Sequence, residues 1–497
     1  MHRGSPLAVL FNSHEYLFLF LPLTLIVYFL INPWARWARS ECLSEFWLIG
    51  ASLFFYGWSE PKYALLLVCL VLFNFSVAAG LNRFEPRQSV KRKILLIFGI
   101  AADVALLGYY KYADFAITNV NYLFHAQFLL RSVAVPMGLS FVTFIQISYL
   151  VDTYRNPTKE YDLLTYGLFS TYFPYILAGP IVRHSEIMPQ LKKAAKKAAE
   201  YHNLSVGLYL ISIGIFKKVV VADRLGEWAS DGFAAAPPMN FLYAWVSSLC
   251  YTFQIYFDFS GYTDMAIGTA LMFNIRLPIN FNSPYKALDI QDFWRRWHIT
   301  LGRFLREYIY IPLGGNRVGE ARVYFNLMVT FIVCGIWHGA GWTFVFWGFL
   351  HGAALVVHRA WKKMGGKMPT FVAWLLTFNF VNMAWVFFRA RSWDEALKVL
   401  AAMWGLNGLA LPEGWGHALN FLKSGYILFL PWKEIMLGSR DACIWVPFAL
   451  AVCLFLKNSN QMSENFKPVW RSLPVIAAGA YAALQLFRVN EFIYFNF

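Results

Sequence analysis

Apolar runs alternate with short polar ones from one end of the chain to the other, and no polar stretch is long enough to form a domain of its own. A helix that crosses about 30 Å of hydrocarbon needs about 20 predominantly apolar residues. Runs near that length lie at 14–31, 46–58, 62–80, 94–112, 133–151, 163–178, 205–222, 240–257, 323–340, 342–358, 371–388, 442–457 and 473–488. Those at 46–58 and 163–178 are short, and the second carries Pro174 and a Gly179-Pro180 breaker. Both are expected to be tilted or re-entrant, which is tolerated only where protein covers the broken backbone. The pattern predicts an all-α, polytopic transmembrane protein of about ten to twelve crossings plus re-entrant and interfacial helices. Residues 1–497 read as a single membrane-embedded domain without an internal repeat. The first run follows His14 and Glu15, not a basic segment with a small-residue cleavage site, so it is expected to be a retained helix.

Composition agrees with a lipid solvent: 58% of the 497 residues are hydrophobic and 14% charged, against roughly 25% charged in soluble domains. The net charge of +15 would suit nucleic acid, but the positive residues sit in short clusters between spans, where they orient helices and meet anionic lipid. No nucleic-acid partner is expected. Arg36 and Arg39 follow the first run, Arg83, Arg87, Lys91, Arg92 and Lys93 the third, and Lys192, Lys193, Lys196 and Lys197 lie further on. Placing these loops in the cytoplasm puts 275–322 and 359–367 there too, and both termini outside. The stretch 389–441 fits that scheme poorly. The six cysteines occur singly, without CxxC; Cys69, Cys250, Cys334 and Cys453 lie in apolar runs as small core residues, and no metal is expected.

Three segments carry candidate chemistry. In FWRRWHITLGRFLREYIYIPLGG (293–315), Trp294, Trp297, Leu301, Phe304 and Tyr308 recur at helical spacing, predicting one amphipathic helix at the cytoplasmic surface. Arg295, Arg296, Arg303 and Arg306 stand off that stripe. They suit either lipid headgroups, by snorkelling, or the phosphates of an anionic ligand, by bidentate hydrogen bonding. His298 falls between the two faces. In FIVCGIWHGAGWTFVFWGFLH (331–351), His338 lies among Gly335, Gly339, Ala340 and Gly341. A histidine inside a membrane helix is a functional candidate, weighed against a structural ring bonded to a carbonyl or water. His351 faces the same test, and His358, beside Arg359, reads as interfacial. In YFDFSGYTDMAIG (256–268), Asp258 and Asp264 end an apolar run and are open to pairing with one of the arginines or to catalysis. GxSxG, P-loop, Asp-x-Asp and HExxH patterns are absent, which removes the usual support for hydrolase, nucleotide-driven pump and metalloprotease readings.

With FLFLPLTLIVYFL, GYYKY, PMGLSFVTFIQISYLVDTYR, LAGPIVR, NFNSPY, GIWHGAGWTFVFWG and the terminal FIYFNF, these segments resemble the bacterial membrane-bound O-acyltransferases. Within them the chain is similar to the alginate O-acetylation branch, in order from about residue 11 to the C-terminus. The resemblance implies a bacterial inner-membrane enzyme. Cytoplasmic acetyl-CoA would be the donor, and the acceptor an extracytoplasmic partner protein or polysaccharide hydroxyl. It makes His338, the histidine of WHG, the catalytic one and places His298 beside it in the reaction. Arg295, Arg296 and Arg303 are then the candidates for binding the CoA phosphates. Asn282 and Asp258 match family motifs without an assigned role. The chemistry agrees: attack of an alcohol on a thioester needs a base for the hydroxyl proton, and a histidine with a pKa of about 6.5 suits that task. His298 is expected to start from the cytoplasmic side, and His338, 14 residues past Tyr324, lies about 21 Å further along a helix. Transfer of another acyl group, such as D-alanyl from a carrier protein, is the alternative within this class. Outside it stand a polysaccharide or lipid-precursor transporter, weakened by the lack of inverted repeats, and a non-catalytic scaffold. Alginate, cellulose and peptidoglycan all remain open as acceptors.

Overall fold

The computed structural model describes residues 10–37, 42–84, 89–156, 162–194, 198–235, 239–416, 427–436, 441–464, 466–467 and 470–486. Arg39, Arg87, Lys196, Lys197 and the terminal FIYFNF lie outside the described residues, as does the side chain of Arg36. The chain is helical nearly throughout, as its pattern predicts. The N-terminal half comprises α1 (Leu21–Trp37), α2 (Cys42–Gly57), α3 (Pro61–Arg83), α4 (Ser89–Phe124), α5 (Leu139–Arg155), α6 (Leu163–Thr171), α7 (Phe173–Ile176), α8 (His184–Ala194), α9 (Tyr201–Ala234) and α10 (Phe241–Met272). Two short helices follow, α11 (Ile290–Arg296) and α12 (Ile299–Leu305), then α13 (Glu320–His338), α14 (Trp342–Lys363), α15 (Thr370–Arg389) and α16 (Trp393–Met403). Strands β1 (Leu409–Pro412) and β2 (Ile427–Leu430) pair in parallel, Leu409 opposite Ile427. Helices α17 (Trp432–Ile435), α18 (Ala442–Phe455), α19 (Ser459–Glu464) and α20 (Leu473–Leu484) complete the described chain. Among the described residues, six helical stretches are long and apolar enough to cross a membrane, and α2, α18 and α20 are shorter apolar helices.

The run at 163–178 is re-entrant in form: α6 and α7 break at Tyr172, and every residue from Thr165 to Ala178 is buried, so protein covers the backbone that lipid could not satisfy. Helix α10 is the central column. Asn240 caps it, its side chain accepting the Tyr243 amide at 2.9 Å, and it runs 32 residues, about 48 Å at 1.5 Å per residue. Helix α9 packs antiparallel to it at a distance only glycine permits. A Cβ at Gly214 would stand 2.5 Å from the Gly261 carbonyl oxygen, and one at Gly268 2.6 Å from that of Gly207. Small residues a fixed interval apart on two helices bring backbones into direct contact.

Asp258 and Asp264 do not end a span, as the apolar pattern predicts; they lie in the interior of α10. Their partners are lysines, not arginines. Lys218 stands 2.7 Å from Asp258 and 2.8 Å from Asp223, and Lys217 2.7 Å from Asp264, which also accepts from Ser459. Both lysines sit in the π-helical turn Phe216–Ala222 of α9. Burial of a carboxylate in this setting is offset only by such a pairing, which lets α10 continue.

The single amphipathic helix expected across 293–315 is also not formed. Helix α11 ends at Arg296, and His298 takes a left-handed backbone (φ 44°) before α12 begins. The apolar stripe is real, since Trp294, Trp297, Leu301 and Phe304 are all buried, but it belongs to two short helices folded into the protein, not to one lying on its surface.

Candidate active site

His338 is the last residue of α13, and only residues 339–341 separate it from α14. The two helices form a hairpin closed by glycine: a Cβ at Gly335 would stand 2.3 Å from the Phe344 oxygen, and one at Gly348 2.3 Å from that of Phe331. The small residues around His338 therefore serve helix packing. The His338 ring is buried and stands edge-on to Trp347 and Phe388, each at a 5.1 Å centroid distance. The carbonyls at the end of α13 have no intrahelical partner, and α4 supplies them. Tyr112 Oη donates to the Ile336 oxygen at 2.6 Å, and Lys111 Nζ to those of Trp337 and His338 at 2.8 and 2.9 Å. A cation at a helix C-terminus also complements the macrodipole.

His298 is fully buried, and a left-handed non-glycine residue at such a point is held there by its surroundings. The holder is the NFN turn. The Asn282 amide donates to the Arg296 oxygen at 2.9 Å and the Ile299 amide to the Asn280 oxygen at 3.0 Å. The Asn280 side-chain oxygen accepts from the Thr300 hydroxyl at 2.6 Å and from its amide at 3.3 Å. Because a backbone N–H points at it, that atom is the amide oxygen and not the nitrogen. The same oxygen lies 3.3 Å from His298 Nδ1, so Nδ1 carries the proton in this contact. The lone pair is left on Nε2, which has no hydrogen-bond partner among the described residues.

The sequence places His298 toward the cytoplasmic side and His338 about 21 Å past Tyr324 along a helix; the structure brings the two rings to one tryptophan. The Trp337 ring lies 6.2 Å from the His298 ring and 4.9 Å from that of His338. Beside Trp337 and His338 a cavity of about 60 Å³ is lined by those two residues with Lys111, Pro136, Gly138 and Phe141, among others. Gly138, at φ 74°, turns the chain into α5 where a Cβ would meet the Ile176 oxygen at 2.6 Å. His351 is a neighbour, not a member: its Nδ1 accepts from Trp294 Nε1 at 3.2 Å. His358 sits 3.5 Å from Asp289 at the far end of α14. Partial burial works against that Asp289 carboxylate, yet the Asp292 amide, His358 and Lys362 outweigh it and hold it below the usual carboxylate range.

The arginines are less free than their sequence implies. Arg303 holds Glu186 through both carboxylate oxygens, at 2.5 and 3.1 Å, and Arg296 holds Asp292 at 2.9 and 3.0 Å. Arg295 is exposed. Asn280, Lys111 and Tyr112 carried no assignment from sequence, although a lysine within a 36-residue apolar helix is a signal in itself.

The family model for the membrane-bound O-acyltransferases matches residues 17–392, which contain both histidines. The chain belongs to this family. It is accordingly a multi-pass membrane enzyme, an O-acyltransferase. A peptidoglycan O-acetyltransferase of Helicobacter pylori is 44% identical over 98% of each chain. A probable alginate O-acetylase of Azotobacter vinelandii is 37% identical over 82% of this chain and 80% of its own. More distantly, a teichoic acid D-alanyltransferase of Streptococcus thermophilus is 26% identical over 51% of this chain and 68% of its own.

Proposed function

We propose that this acyltransferase sits in the bacterial inner membrane and takes an acetyl group from cytoplasmic acetyl-CoA. The acetyl group passes to a peptidoglycan hydroxyl on the opposite side, by way of an extracytoplasmic partner protein where the polymer cannot reach the site itself. The observation that carries the reading is the convergence of two buried histidines on one tryptophan beside a small cavity. Peptidoglycan is favoured over alginate because the relative named for it is 44% identical along 98% of both chains, against 37% for the Azotobacter alginate relative.

In the proposed reaction His338 accepts the acceptor's hydroxyl proton as the oxygen attacks the acetyl carbonyl carbon. The tetrahedral intermediate then collapses, the C–S bond breaks, and the CoA thiolate takes the proton from His338. His298, with its lone pair on Nε2 and its ring against Trp337, serves the donor side. Arg295 meets the CoA phosphates directly, Arg296 can offer its terminal nitrogens while Nε keeps Asp292, and Arg303 reaches them by releasing Glu186.

The test uses the full chain in membranes with acetyl-labelled acetyl-CoA and de-O-acetylated peptidoglycan or polymannuronate. Alkali-labile label on peptidoglycan is expected. Label on polymannuronate alone would reassign the acceptor, and transfer of D-alanine from a carrier protein with none of acetyl would overturn the donor.

A further inference from the structure

We propose that the cavity between Lys111 and His338 is the oxyanion site of the transfer and that Lys111 is its electrophilic catalytic residue. The proposal rests on the acetyl-transfer reading above. An ammonium group has three N–H donors. Lys111 spends two on the Trp337 and His338 carbonyls, and the third has no hydrogen-bond acceptor among the described residues; the ammonium also stands 5.9 Å from the Tyr112 ring. The side chain lines the same cavity as His338.

Charge points the same way. Among the described residues no carboxylate pairs with Lys111, whereas both other lysines of the helical core treated above, Lys217 and Lys218, are paired with aspartates. An uncompensated cation within a membrane protein is costly and persists where function uses it. The negative end of the α13 dipole offsets part of that cost; a full counter-charge is missing until one forms in the cavity. At about 60 Å³ the cavity exceeds what a single water needs and leaves room for a group as small as acetyl.

The acceptor oxygen forms its bond to the carbonyl carbon, its proton passes to His338, and the carbonyl π pair moves onto oxygen, where Lys111 donates its third N–H. When the C–S bond breaks the pair returns, and Lys111 again faces a neutral carbonyl. The interaction is strongest at the intermediate, which is the condition for raising kcat without tightening donor binding. Lys111 lies in the π-helical turn Gly108–Tyr112 of α4. Such turns re-aim side chains within a helix and recur at functional sites.

Lys111→Gln separates electrophile from brace, because an amide keeps N–H donors for the two carbonyls and loses the charge. The expected result is a folded protein with kcat for acetyl transfer lowered about 100- to 1,000-fold, and KM for acetyl-CoA changed by less than roughly threefold. Lys111→Arg should recover part of the loss. A second measurement needs no variant: a trifluoromethyl-ketone analogue of acetyl-CoA, whose adduct carries the tetrahedral oxygen, should inhibit the wild type more strongly than the unfluorinated ketone. Lys111→Gln with near-normal kcat, or equal inhibition by the two ketones, overturns the proposal. A wild type that transfers no acetyl group to any acceptor overturns instead the functional reading beneath it.

Discussion

At the scale of single residues, His338 and His298 differ in what holds them. Asn280 fixes the His298 tautomer through an oxygen that also serves Thr300, while His338 is placed by the backbone carbonyls that Lys111 and Tyr112 hold. A general base typically contributes about 100- to 10,000-fold, so His338→Gln, which keeps size and hydrogen bonding but cannot take the proton, should lower acetyl transfer by that order. Its acetyl-CoA affinity, read by equilibrium binding, should stay near that of the wild type. Retained turnover would move the base to His298 Nε2. His338 was legible in the sequence because an ionisable ring among apolar residues is conspicuous. Its closeness to His298 was not, since it depends on a left-handed corner that an Asn 18 residues upstream stabilises. The lysine partners of Asp258 and Asp264 were hidden for a like reason, lying 40 and 47 positions away in sequence.

At the scale of helices, the apolar pattern located nearly every element and mistook continuity twice. It joined α11 to α12 because both bury the same stripe, and burial reports a face, not an unbroken axis. It cut α10 short at Asp258 because a carboxylate in a span looks like an end until its cation is known. Glycine contacts govern how the helices meet. A side chain at Gly214 has no room against the Gly261 carbonyl oxygen, so Gly214→Val must push α9 from α10. Overpacking of this kind costs about 1–3 kcal/mol. Thermal unfolding in detergent should begin several degrees lower, with the loss of activity following the loss of fold. An unchanged melting temperature would mean that the two helices separate freely.

At the scale of the whole molecule, Lys111 and Tyr112, in the second half of α4, meet the C-terminal end of α13. The starting ends of the two helices carry Lys91, Lys93, Arg317 and Arg322. The same side is tied together by Arg92 on the Tyr154 oxygen and Arg155 on the Glu307 oxygen. The rule that basic loops stay inside predicts that His338 lies toward the outer face, where the proposed acceptor would arrive. Cysteines introduced at Arg317 and His125 into a cysteine-free chain test this orientation. An impermeant thiol reagent applied to intact cells should modify position 125 and spare 317, and the opposite pattern would invert the protein.

The contact between Lys111 and His338 spans 227 positions of sequence. Contacts so remote close late, once the intervening chain has been made and packed. A ribosome that has delivered only the first half of the protein into the membrane has delivered α4 with its lysine but no histidine for it to hold. Catalytic competence therefore arrives as a single late event of biogenesis. Until the α13–α14 hairpin docks, the growing chain has no assembled chamber and, on the proposed reaction, no place to lose acetyl groups to water.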